Sequence, residues 1–219
     1  MDRHETLERI LDSGVVAIVR LPSGEQLLAV ATAIEAGGIG VIEFTLTTPG
    51  ATEAIAAATA AMGDRVVIGA GTVLDGATAR TAIHAGARFI VSPTLSRETI
   101  EVCHRYGVVV IPGAYTPTEI LTAWEWGADL VKVFPATGLG PRYFRDVLAP
   151  LPQVRLVPTG GVDRETAGPF IAAGAVAVAV GSNLVDAKLV AAGDFATITE
   201  RARAFRAVVD TARGALPRR

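Results

Sequence analysis

The sequence predicts an α/β protein of one domain, a closed (β/α)8 barrel of the TIM type, and three observations predict it. The apolar residues come in eight short, β-branched runs, each closed by Gly, Pro, Ser or Thr, which is how strands buried on both faces of a parallel sheet read. Between the runs lie Ala-rich segments of helical period, so strand and helix alternate throughout. The repeat of about 23 residues leaves room in each unit for the dozen or more residues that a parallel crossover needs. An open doubly wound sheet is the competing architecture. It calls for a Gly-rich nucleotide fingerprint after the first strand, where Arg20-Leu21-Pro22-Ser23-Gly24 stands instead.

Residues 2–12, opening on Asp2-Arg3-His4-Glu5, are expected to form a charged helix before the barrel begins. The first strand follows at 15–20 and its helix at 25–35, ended by Ala36-Gly37-Gly38. The second strand spans 39–45, with a helix over 51–62; the third spans 66–69, with a helix over 77–85 ended by Ala85-Gly86-Ala87. The fourth spans 88–92 and is followed by a helix at 97–105. The fifth spans 108–112, with a helix over 118–126 ended by Trp126-Gly127-Ala128. The sixth spans 129–134 and the seventh 154–159, after which a helix over 164–173 ends at Ala173-Gly174-Ala175. The eighth spans 176–181, and a last helix runs from 194 to about 213. The recurring glycines are helix C-caps, because Gly takes the left-handed conformation without a Cβ penalty. Leu216-Pro217-Arg218-Arg219 reads as a frayed tail.

At 219 residues the chain suits one barrel, so residues 1–219 are read as a single domain. Half of it is hydrophobic and 19% charged, against about 25% charged in an ordinary soluble domain, which excludes disorder. A net charge of −2 lacks the basic footprint of a nucleic-acid binder. No apolar run reaches about 18 residues, and no signal peptide is visible, so no membrane partner is expected. The lone Cys103 has no partner for an internal disulfide and fits a reduced, cytoplasmic compartment.

In a barrel the active site lies at the carboxyl ends of the strands. Polar residues collect there: Arg20, Glu43, Thr72, Ser92, Lys132, Thr159-Gly160-Gly161 and Gly181-Ser182-Asn183. Lys132, within Leu130-Val131-Lys132-Val133-Phe134, carries most information. The chain has two lysines, Lys132 and Lys188, against eighteen arginines, so a lysine inside a strand is chosen for its amine. Arg stays protonated, whereas a desolvated Lys can lose its proton and attack a carbonyl to form a Schiff base. The alternative is a Lys with its stem on apolar surface and its head in water. Glu43, in Val41-Ile42-Glu43-Phe44-Thr45, faces inward with Val41 and Thr45 by alternation and is the natural general acid–base beside such an amine. The competing role is a structural ion pair with Arg20 or Lys132. Gly160-Gly161 and Gly181-Ser182, ending the last two strands, sit where this architecture cradles phosphate, with a carboxylate in the same donors or ordinary glycine turns as the alternatives, and Asp163 is a good N-cap for the helix that follows. His84, His104, Trp124 and Trp126 read as helix-end or packing residues and Cys103 as a small buried hydrophobe. No His, Asp or Glu cluster has metal-ligand spacing, so no metal is expected.

Glu43-Phe44-Thr45-Leu46, Gly69-Ala70-Gly71-Thr72-Val73-Leu74, Val91-Ser92-Pro93, Ile111-Pro112-Gly113, Lys132-Val133-Phe134-Pro135-Ala136 and Pro158-Thr159-Gly160-Gly161-Val162 together resemble one family. It is the 2-keto-3-deoxy-6-phosphogluconate (KDPG) / 4-hydroxy-2-oxoglutarate (KHG) aldolase family, and the resemblance covers nearly the whole chain. It implies a class I, metal-independent pyruvate aldolase without cofactor, its covalent Schiff base formed on Lys132, with Glu43 as acid–base. It further implies Thr72, Pro93 and Phe134 at the pyruvate end, Thr159 at the bound intermediate, and Gly160, Gly161 and Ser182 at a distal phosphate. Small 2-oxo acids and aldehydes are then the substrates, and a homotrimer the assembly. Two positions depart from the family pattern. Thr47, expected among the substrate-binding residues, stands where many relatives carry a substrate-binding Arg, leaving Arg20 to supply the cation, and Val180-Gly181-Ser182-Asn183 replaces a Gly-Gly-Ser followed by an aromatic. A sugar-phosphate isomerase or epimerase on the same barrel, or a non-catalytic assembly module, are the competing functions.

Overall fold

The computed structural model describes residues 1–215, so the segment read as a frayed tail lies outside the described residues. All eight expected strands form, most of them shorter than their apolar runs, although β3 runs two residues past its expected end: β1 (Val15–Val19), β2 (Val41–Thr45), β3 (Val67–Gly71), β4 (Phe89–Val91), β5 (Val109–Ile111), β6 (Gly113–Ala114), β7 (Val131–Val133), β8 (Leu156–Pro158) and β9 (Val178–Val180). Strand β5 falls within the expected fifth strand, while β6 lies just beyond its expected end at Pro112. Pro112, which has no N–H to donate, separates the two.

Every pairing is parallel. One ladder runs β5-β4-β3-β2-β1-β9 and the other β6-β7-β8. They close on each other at two seams. At one, the chain passes from β5 to β6 while Asp129 and Lys132 donate backbone N–H bonds to Val110 (3.2 Å) and Pro112 (2.9 Å). At the other, Thr159 bridges to Ala179, and the Val176 N–H reaches the Leu156 carbonyl at 3.0 Å. The result is the closed eight-stave barrel.

The helices are α1 (Arg3–Ser13), α2 (Leu27–Ala36), α3 (Ala51–Met62), α4 (Gly76–His84), α5 (Arg97–Arg105), α6 (Pro117–Glu125), α7 (Gly140–Leu148), α8 (Arg164–Ala172), α9 (Ala187–Ala191) and α10 (Phe195–Gly214). Helices α7 and α9 were not among the segments of clear helical period. The first is framed by Gly138, Gly140 and Pro141 and the second is only five residues long, so breakers and brevity mask both patterns. The expected C-cap glycines take positive φ at Gly38 (+89°), Gly86 (+105°), Gly127 (+90°) and Gly174 (+102°). Asp163 caps α8 as its spacing suggested, accepting the N–H groups of Glu165 and Thr166.

Side-chain alternation divides the apolar residues between two cores. Val16, Val41, Val67, Phe89, Val109, Leu130, Val157 and Ala177 meet inside the barrel, with Ile10 of α1 stopping its amino-terminal end. The alternate set, including Val15, Ile42, Phe44, Ile68, Ile90, Val131 and Val133, packs outward on the helices. Arg3 holds α1 in place through Asp129 (2.9 Å), whose other oxygen accepts the Val110 N–H at 2.9 Å. Glu43 therefore continues the inward series begun by Val41, Lys132 that begun by Leu130, and Thr159 that begun by Val157. All three point into the barrel at its carboxyl-terminal end.

Candidate active site

A cavity of about 450 Å³ opens at the carboxyl ends of the strands. It is lined by Arg20, Glu43, Thr72, Pro93, Lys132, Phe134, Thr159, Gly160, Gly161 and Ser182, and also by Ile18, Val162, Ala179, Gly181, Asn183, Val185, Asp186 and Ala187. A larger hollow of about 830 Å³ sits near the amino-terminal side, between residues such as Leu11, Leu148, Arg155, Ala173 and Arg213. Size alone would choose that hollow. Chemistry chooses the other, because there, and not in the larger hollow, a buried acid and a buried amine share one wall.

Glu43 is 1% exposed and Lys132 6% exposed. Among the described residues neither makes an ion pair within 4 Å, so the structural ion pair weighed for Glu43 does not form. Burial pushes the Glu43 carboxyl above the usual carboxylate range, against the opposing pull of Lys132 and Arg20. Burial likewise drives the Lys132 ammonium below the usual lysine range, opposed by Glu43 and assisted by Arg20. Burial thereby moves the titrations of the acid and the amine toward each other from opposite sides. The Lys132 Nζ also lies 4.9 Å from the centroid of the Phe134 ring, whose face favours the charged amine.

Thr72, directly after β3, has φ of +60°, a conformation that a β-branched residue adopts at a cost of about 1–3 kcal/mol. The next N–H, of Val73, is tied to the Val91 carbonyl at 3.1 Å, which holds the turn in place and Thr72 at the cavity wall. The Thr159 hydroxyl is buried and, among the described residues, has no hydrogen-bond partner. A buried unpaired hydroxyl at a cavity wall is a place prepared for a ligand's polar group. Beyond it Gly160 (φ +90°) and Gly161 (φ +72°) turn the chain back. Neither their N–H groups nor that of Ser182 donate to a backbone carbonyl among the described residues.

Arg20 stands exposed at the exit of β1, where the N–H of Leu21 donates to the buried Thr48 hydroxyl at 3.1 Å. Thr47 does not join the cavity. It lies exposed on the turn after β2, its short side chain donating to the Thr45 hydroxyl at 3.2 Å. Of the lining residues, Asn183 was expected at the end of the last strand, whereas Asp186 and Ile18 escaped the sequence reading of the site. Asn183 donates from Nδ2 to the Val162 carbonyl at 2.8 Å. Asp186 caps α9, accepting the Lys188 N–H at 2.9 Å. No periodicity marks such residues, although Asp186 sits at a recognisable N-cap position.

The residues set aside fall elsewhere. His104 contacts the Gly127 carbonyl at 2.9 Å and His84 meets the Tyr106 ring edge-on. Trp124 and Trp126 pack against the helix layer. Cys103 is buried, its thiol pushed up to about 12. Among the described residues no group of three or more His, Cys, Asp or Glu side chains is placed to hold a metal, and no helix is long and apolar enough to cross a membrane.

Comparison with known proteins agrees with this geometry. Residues 7–201 match the family model described as KDPG and KHG aldolase. The chain is 41% identical over 196 residues to the 2-dehydro-3-deoxy-phosphogluconate aldolase of Treponema pallidum, covering 89% of this chain and 91% of that one. It is 35% identical over 171 residues to the 2-dehydro-3-deoxy-6-phosphogalactonate aldolase of Escherichia coli, covering 78% and 83%. Among solved structures, the KDPG aldolase of Legionella pneumophila, with pyruvate captured at low pH as a covalent carbinolamine intermediate, superposes with a TM-score of 0.84. That match is at 29% identity over 91% of this chain and 97% of that one. The protein is an aldehyde-lyase, and it belongs to the KDPG and KHG aldolase family.

Proposed function

We propose that this aldolase cleaves 2-keto-3-deoxy-6-phosphogluconate to pyruvate and glyceraldehyde 3-phosphate, and that it also accepts 4-hydroxy-2-oxoglutarate, giving pyruvate and glyoxylate. The observation that carries the reading is the pairing of a buried lysine, lowered toward the free amine, with a buried glutamate raised toward the acid. Lys132 Nζ attacks the C2 ketone, and loss of water from the carbinolamine leaves an iminium. Glu43, through one water, takes the C4 hydroxyl proton. The C3–C4 electron pair then moves into the iminium to give an enamine as the aldehyde departs. Protonation at C3 and hydrolysis of the imine free pyruvate and the amine.

Thr72, Pro93 and Phe134 hold the pyruvate end, and Thr159 gives its unpaired hydroxyl to the bound intermediate. Gly160, Gly161 and Ser182 receive the distal anion with their free N–H groups, and Arg20 supplies the cation that Thr47 does not. The reading includes catalysis without metal or cofactor and a cytoplasmic homotrimer, which family resemblance and the single cysteine support. Light scattering on the purified protein tests the assembly.

The experiment is pyruvate with borohydride, followed by peptide mass mapping. The expected result is one covalent adduct on Lys132, absent in Lys132→Arg, with cleavage undiminished by chelators. An adduct on Lys188, or turnover without a reducible imine as an isomerase would give, sinks the mechanism.

A further inference from the structure

One hydrogen bond crosses the rim of the cavity between segments that are distant in sequence. It is the bond from Asn183 Nδ2 to the Val162 carbonyl, 2.8 Å long. The ladder between the last two barrel strands ends below it, at the bridge from Thr159 to Ala179. Past that bridge the two chains leave the sheet separately, and twisted strands diverge where no ladder bond holds them. The N–H groups of Gly160 and Gly161 belong to one departing segment and that of Ser182 to the other. The first segment is backed on its far side, where the Ala136 N–H donates to the Thr159 carbonyl at 2.8 Å. A Cβ on Gly161 would stand 2.8 Å from the Thr137 hydroxyl, so the turn is pressed close against that wall. Asn183 secures its near side to the segment that carries Ser182.

A phosphate held between two loops needs donors from both, each within about 2.7–2.9 Å of an oxygen, and a small splay of the loops breaks that match. The linking group should also be uncharged, since a carboxylate here would oppose the anion. Asn183 meets both demands, while the neighbouring acid, Asp186, is engaged with its own helix. We propose that Asn183 is a positioning residue for anion recognition. Its bond to Val162 sets the separation of the Gly160-Gly161 donors from the Ser182 donor, and so sets the preference for a substrate whose distal end is phosphorylated over one whose distal end is a neutral hydroxyl. This inference rests on the aldolase reading above.

The test compares wild type, Asn183→Ala and Asn183→Asp on 2-keto-3-deoxy-6-phosphogluconate and on its unphosphorylated counterpart, with inorganic phosphate as a competitive inhibitor. The expected result is that the ratio of kcat/KM values, phosphorylated over unphosphorylated, falls at least about tenfold in Asn183→Ala, mainly through KM. Asn183→Asp should fall further, and the phosphate inhibition constant should rise in step. Equal losses on both substrates, the mark of a merely structural tie, overturn the proposal. So does a wild type that neither prefers the phosphorylated substrate nor is inhibited by phosphate. Pyruvate trapping on Lys132 needs no distal group: if it fails in wild type, the aldolase reading fails, whereas intact trapping with an unaltered ratio sinks the role of Asn183 alone.

Discussion

Gly71 has no side chain because Glu43 occupies the space where one would stand. A Cβ built on Gly71 would overlap the Glu43 carboxyl group at its Oε1 and Cδ atoms. Strands β2 and β3 pair in register with Thr45 opposite Gly71 and Glu43 opposite Gly69, so the carboxyl group leans over the end of the neighbouring strand. The buried acid and the bare backbone beside it form one unit. Gly71→Ala is therefore expected to cost about 1–3 kcal/mol in stability by overpacking. By moving the carboxyl group it should also slow cleavage by about 10²-fold. Denaturant midpoints and kcat/KM measure the two effects; near-normal turnover in a folded variant would show that the position of Glu43 is not critical.

Glu43→Gln preserves the shape and cannot accept a proton. Turnover should drop by about 10²–10⁴-fold. The pH profile carries a second sign. Burial lowers Lys132, while the charge of Glu43 opposes that lowering. Removing the charge lowers Lys132 further, so more free amine is present at a given pH. The acid limb of pyruvate trapping, followed with borohydride, should move to lower pH in Glu43→Gln. Movement to higher pH would contradict the electrostatic coupling.

Thr159→Val removes a buried hydroxyl that has no partner among the described residues. An unsatisfied buried group costs about 1–3 kcal/mol, so the variant should match or exceed the parent in stability. Each kcal/mol gained would raise Tm by about 2–4 °C in a chain of this size. Activity should fall all the same, since the hydroxyl has lost its use toward the bound intermediate. Calorimetry beside kinetics checks it, and a variant that is less stable yet fully active would refute the assignment.

Arg20 makes no ion pair among the described residues, so its loss should leave Tm where it was. Arg20→Ala is expected to lower kcat/KM at least tenfold, about 1.4 kcal/mol of transition-state binding. An equal loss with phosphorylated and unphosphorylated 4-hydroxy-2-oxo acids places the guanidinium at the pyruvate carboxylate. A loss confined to the phosphorylated acid places it at the phosphate, and unchanged kinetics with both rejects an anion-binding role.

The strands and the inward aim of two charged side chains were legible in the amino-acid sequence, because both follow from periods. Apolar runs closed by turn residues mark parallel strands. Alternation along Val41, Glu43 and Thr45, and along Leu130 and Lys132, turns the acid and the amine to the barrel side. Caps are equally local: Asp163 and the glycines at 38, 86, 127 and 174 act on backbone within a few residues of themselves. Only the closed barrel decided what depends on residues distant in sequence. It leaves Glu43 and Lys132 buried at one cavity, draws Gly71 under the carboxyl group, and ties Asn183 to Val162. It also leaves Thr47 outside the cavity its position in the family pattern suggested. Local propensity acts over a turn of chain, whereas desolvation and contact across a barrel are set by which strands the closed ladder brings together.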